Sequence, residues 1–152
     1  MESEVYKFKP VHTREFEPQN MQMAEWDAYQ ELEKNNNVSE WLEEQNVAIT
    51  LEIDKKVASI LGIIPLPQGG GHCWLFISKD VKGGHEMRLL TKCVLGVING
   101  VKEYGYEWLQ TPVRDDFKQG KRWVQMLGFS ETEHKEDILG DGTTYTYWTR
   151  VL

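Results

Sequence analysis

Two adjacent glycines, Gly83 and Gly84, stand between a short apolar run, residues 72–78 (HCWLFIS), and a long amphipathic stretch that starts near His85. A helix N-terminus carries N–H groups without intrahelical partners and about half a positive charge. Glycine lets an anion approach that backbone closely. Residues Lys82, Gly83, Gly84 and His85 are therefore the candidate anion-holding loop, with Lys79, Arg88 and Lys92 around the pair. The plainer role of such a pair is to turn the chain from strand into helix, with lysine solvated. His72 is a candidate general base, because an imidazole titrating near neutrality suits taking a proton from an ammonium group. Its plainer role is a surface histidine after a glycine-rich loop. Glu52 has the same two readings. The four histidines have no metal-ligand spacing, and Cys73 and Cys93 form no CxxC pair, so no metal is expected. No Ser–His–Asp or Cys–His nucleophile can be read from the spacings.

The elements that would position these residues follow from periodicity. Residues 5–11 alternate and read as a first strand. Residues 19–33 carry a moderate apolar stripe through Met23 and Trp26. Asn35, Asn36 and Asn37 break it, and Ser39 is a good N-cap for a short helix over 39–45. Residues 47–53 alternate strictly, with Val47, Ile49, Leu51 and Ile53 inward and Ala48, Thr50 and Glu52 outward. Residues 57–65 form the next strand, after a turn at Asp54-Lys55-Lys56. Residues 66–71 (LPQGGG) read as a flexible connection, and 72–78 as a third meandering strand. The helix over 85–104 repeats apolar residues at Leu90, Val94, Val97, Ile98 and Val101, and Gly105 is its C-cap. Residues 106–111 then read as a strand parallel to 72–78, ended by Pro112. Asp115 or Asp116 caps a further helix containing Phe117, Trp123, Val124 and Leu127. Strands over 129–136 and 144–152 close the chain. The aromatics Tyr6, Phe8, Trp26, Trp41, Trp108, Trp123, Tyr145, Tyr147 and Trp148 are expected in the core. The acidic run 131–141 reads as a solvated hairpin.

Composition bounds the rest. A chain of 152 residues, 40% hydrophobic and 27% charged, favours one globular domain over 1–152. A net charge of −7 argues against binding nucleic acid or an anionic membrane. Both cysteines read as free buried thiols. The N-terminal residues lack the apolar core of a signal peptide, and no apolar run approaches the ~20 residues of a membrane span. The expected place is the cytoplasm.

The order of elements resembles the GNAT (GCN5-related N-acetyltransferase-like) fold over essentially the whole chain. The segment KRWVQMLGFSE, residues 121–131, resembles that family's final helix and its step into the next strand, here Leu127-Gly128-Phe129. Within the fold, residues 73–81 (CWLFISKDV) and 121–129 look most like small GNAT-like proteins of tailed bacteriophages. The resemblance implies an α/β domain whose mixed, mostly antiparallel sheet splays between its fourth and fifth strands and is flanked by helices. It implies acyl transfer from acetyl-CoA, as cosubstrate, to an amine of a protein or small molecule. Leu75, Phe76 and Ile77 would offer backbone to pantetheine, and Lys82 to Met87 would hold the pyrophosphate. Two residues depart from the family pattern. His85 and Met87 stand where the loop has small residues, and Val124 stands where many members have a proton-donating Tyr. Those departures suit a second expectation, a catalytically inactive GNAT-like phage protein that binds a host or virion protein, in which case the compartment is the host cytoplasm.

Overall fold

The computed structural model describes residues 3–13, 16–36, 38–44 and 47–152. Among these residues seven strands lie in the order β1-β2-β3-β4-β5-β7-β6. They are β1 (Ser3–Lys7), β2 (Val47–Ile53), β3 (Lys56–Leu66), β4 (Gly70–Ile77), β5 (Trp108–Arg114), β6 (Ser130–Glu136) and β7 (Tyr145–Val151). The helices are α1 (Met23–Asn36), α2 (Val38–Glu43), α3 (Gly83–Gly100) and α4 (Lys118–Met126). This is the mixed α/β sheet with flanking helices that the order of elements predicts. Asn37 and Gln45, part of the expected helix break and helix end, lie outside the described residues.

The chain forms two compact units, residues 1–63 with 74–96, and residues 64–73 with 97–152. In the first unit β1 pairs antiparallel with β2, and β2 with β3. The β2–β3 turn places Asp54 and Lys55 at φ 52° and 66°, the left-handed conformation that a two-residue hairpin loop requires. Phe8, Phe16, Trp26, Leu42, Ala48, Ile60 and Phe76 form the core of this unit. The Trp26 ring lies 5.1 Å from Phe16 and 5.0 Å from Phe76, both edge-on, the geometry that aromatic quadrupoles favour. Ala48 and Thr50 are buried rather than outward, because β2 is covered on both faces. Trp41 and Tyr6, expected in the core, are exposed.

In the second unit β5 pairs parallel with the start of β4, through Gly70↔Trp108, Gly71↔Leu109 and His72↔Gln110. It pairs antiparallel with β7 over its whole length, from Trp108↔Val151 to Arg114↔Tyr145. Pro112 does not end β5; it pairs with Tyr147 inside the strand. It lies past the last β4 pair, where β5 has only β7 beside it, and strand edges tolerate a missing N–H. The Trp108 ring covers Gly70, where a Cβ would stand 2.3 Å from it. Asp115 and Asp116 do not cap α4, whose N-cap is Phe117 without a side-chain bond. They bond elsewhere: Asp115 takes Thr146 and Lys135, and Asp116 takes Arg114 at 2.9 Å. The connection between β3 and β4 is three residues, Pro67–Gly69, rather than a six-residue flexible link.

Candidate functional site

β4 is a strand because its run of apolar and aromatic residues suits a pleated, half-buried surface. Its two edges are distinguished by hydrogen bonds. The Ser78 N–H donates to Ala58 O at 2.8 Å, and Phe76 O accepts from the Ser59 hydroxyl at 3.0 Å. Even-numbered residues therefore turn their backbone groups toward β3. Backbone groups alternate along a strand, so Leu75 and Ile77 turn theirs to the opposite edge. Cys73 O, on that same edge, accepts from the Thr111 hydroxyl at 3.2 Å. Of the three residues expected to offer backbone to pantetheine, Leu75 and Ile77 turn theirs to this outward edge. Phe76 does not; its carbonyl is spent on Ser59 and its ring on the core.

The outward edge is occupied by a residue that nothing in the sequence singles out. The carboxamide of Gln22 donates from Nε2 to Leu75 O at 2.7 Å and accepts the Ile77 N–H on Oε1 at 2.8 Å. Just beyond, Gln19 N–H donates to Ile77 O and Lys79 N–H donates to Glu17 O, each at 2.9 Å. These bonds flank an antiparallel bridge, Pro18↔Ser78. They join residues more than fifty positions apart, so no local pattern announces them.

The loop that follows keeps the glycine pair in the open. Gly83 adopts φ 82° with nothing within 4 Å of where a Cβ would be. The nearest atom to a Gly84 Cβ would be the Arg88 guanidinium, at 3.6 Å. Arg88 donates from Nε to Gly84 O at 3.3 Å. Lys82, Gly83, Gly84 and His85 are exposed, and Glu86 and Met87 are half-buried. The Glu86 carboxylate accepts the Lys82 N–H at 3.0 Å, a capping bond that places a side-chain anion at the helix start. Lys79 is paired with Glu17 at 2.7 Å. Leu90 and Val94 are buried farther along α3, which fixes the face the helix turns inward.

The remaining candidates are less suited to chemistry. Burial lowers the His72 pKa, so the ring is neutral near pH 7. Its Nδ1 lies 3.2 Å from Gln110 Nε2. That contact engages one of the two ring nitrogens. Val124 is 7% exposed within the α4 packing. Cys73 and Cys93 are free thiols, and burial pushes the Cys73 pKa up to about 12. Among the described residues no group of three or more His, Cys, Asp and Glu could hold a metal ion.

The chain matches no family model and no curated protein sequence. Its likeness to solved structures is extensive. A spermidine N-acetyltransferase chimera from Vibrio cholerae superposes with TM-score 0.71 at 12% identity, covering 99% of this chain and 96% of that one. A GNAT-family acetyltransferase from Bacillus cereus gives 0.63 at 11%, covering 99% and 98%. A ribosomal-protein-S5-alanine acetyltransferase from Vibrio fischeri gives 0.65 at 15%, covering 99% and 93%. The fold is that of the GNAT acetyltransferases. None of these three is a phage protein.

Proposed function

We propose that the chain is an acyl-CoA-dependent N-acyltransferase that moves an acetyl group from acetyl-CoA to an amine. The observation that carries this reading is the open Gly83-Gly84 pair at the start of α3, directly after a strand whose Leu75 and Ile77 groups face away from β3. In this reading the N–H groups at the start of α3 hold the pyrophosphate, aided by Lys82 and Arg88. Leu75 and Ile77 bond the pantetheine amides as a neighbouring strand would. Phe76 contributes packing only. Glu86 must release the Lys82 N–H for phosphate to take it, an exposed bond that costs little to break. His85 and Met87 follow the pair inside the helix.

Catalysis would then come from positioning. The amine, in its neutral form, attacks the thioester carbonyl carbon. The tetrahedral intermediate collapses with cleavage of the C–S bond, and the amine proton passes to solvent. Val124 offers no proton to the leaving sulfur, and a thiolate departs without one more readily than an alkoxide would. The acceptor amine, on a protein or a small molecule, is the finer part of this proposal.

Calorimetric titration of acetyl-CoA and CoA tests the reading, with Gly84→Glu as control. A side chain at Gly84 meets only the end of Arg88, so the variant keeps its fold and loses only anion binding. The expected result is micromolar binding to the wild type that disappears in the variant. No heat and no thermal stabilisation at saturating ligand overturns it. A second reading, favoured by Val124 and by the Glu86 carboxylate at the helix start, is a GNAT-fold protein of phage origin that has given up the cofactor and binds a host or virion protein. The overturning result is the one this second reading expects.

A further inference from the structure

On the outward edge of β4, four backbone groups between Leu75 and Lys79 are engaged by the chain itself. Lys79 N–H goes to Glu17 O, Ile77 O takes Gln19 N–H, and Ile77 N–H and Leu75 O share the Gln22 carboxamide. The geometry is that of an added strand. Pro18, fully buried, sits opposite Ser78 in the unbonded pair of the ladder, where its missing N–H is not needed. The next pair of the ladder would require a peptide group beside Ile77. The chain instead turns at Gln19, whose carbonyl accepts the Gln22 N–H at 2.8 Å, and enters α1. The Gln22 side chain supplies the missing donor and acceptor, since a carboxamide has the same pair of groups as a peptide bond.

We infer that residues 17–22 are a built-in occupant of this edge, so that acyl-CoA binds only after the segment lifts away from β4. This rests on the acyltransferase reading, in which pantetheine amides bond Leu75 and Ile77. Two groups cannot bond one donor at the same linear geometry, so pantetheine and Gln22 exclude each other. The chain as described is then the resting form, held by four edge bonds and by the exposed Lys79–Glu17 pair. Cofactor affinity carries the cost of opening: apparent Kd equals intrinsic Kd divided by the fraction open.

The test compares CoA binding by wild type, Gln22→Ala and Gln22→Glu. Alanine removes both bonds. Glutamate keeps the acceptor for Ile77 N–H but sets a second acceptor against Leu75 O, so it opens the edge at nearly constant size and backs up the alanine variant if that folds poorly. The expected result is CoA binding tightened by roughly tenfold or more in both variants, as for a site about a tenth open in the wild type. Amide hydrogen exchange gives an independent readout. CoA should speed exchange at Gln19, which loses Ile77 O, while Ile77 stays protected by its new partner. Equal affinities in all three proteins, with Gln19 protection unchanged by CoA, overturn the inference and leave the acyltransferase reading standing. No CoA binding in any of the three overturns both.

Discussion

At the scale of single residues, the site depends on which atoms are already engaged. Ile77 and Leu75 turn their backbone groups to the outward edge of β4, where the Gln22 carboxamide holds both. Val124 marks another such case. In a GNAT-type reading its position invites replacement by Tyr to restore a proton donor. Its side chain is buried, however, on the face that α4 turns inward with Gly120. Val124→Tyr is therefore expected to overpack that face and lower stability by about 1–3 kcal/mol, with no gain in turnover. Chemical denaturation beside an acetyl-CoA hydrolysis assay checks both halves. A variant as stable as wild type would mean that the helix has room that its burial denies.

At the scale of elements, sheet order leaves β1 and β6 at the two ends. β6 reads SETEHKE and is almost wholly exposed, so charge guards its open edge against pairing with other chains. Replacing Glu133 and Lys135 by Val is expected to raise the rate of aggregation, measured by light scattering at constant ionic strength, while leaving helix content by circular dichroism unchanged. Unchanged scattering would assign that protection elsewhere. The sequence made several elements legible because their signals are local. The α3 stripe, the β2–β3 turn and the parallel step from β4 to β5 follow from periodicity, turn chemistry and the length of a crossover. What it hid was long-range. Asp115 looks like a helix cap but bonds Thr146 and Lys135. Pro112 looks like a strand terminator until β7 is found beside it. Gln22 looks like any polar residue at a helix start, and its partners are 53 and 55 positions away. The glycine loop was legible as a place, whereas the occupation of the strand edge beside it was not.

At the scale of the whole molecule, acid should weaken the fold in two steps. Burial lowers the pKa of His72, and burial foremost lowers that of His12, below their ordinary 6.5. The unfolded chain then binds more protons, so stability falls as pH drops below about 6.5 and levels off beneath the folded values. Asp115, held down chiefly by the Thr146 hydroxyl, lies below its ordinary 3.8. Its contribution is complete above that value and is lost as pH falls through the lower, folded one. Thermal melts from pH 8 to pH 3 should show both declines, and His72→Gln should flatten the first; an unchanged first decline in that variant would exclude His72 as its source. The course of the chain has one more consequence. It passes from one compact unit to the other at Ile63/Ile64, Cys73/Trp74 and Gly96/Val97, and each passage lies inside β3, β4 or α3. No loop joins the units, so no single nick or truncation yields either of them as a continuous piece. A tag inserted at any of the three passages would interrupt a strand or a helix.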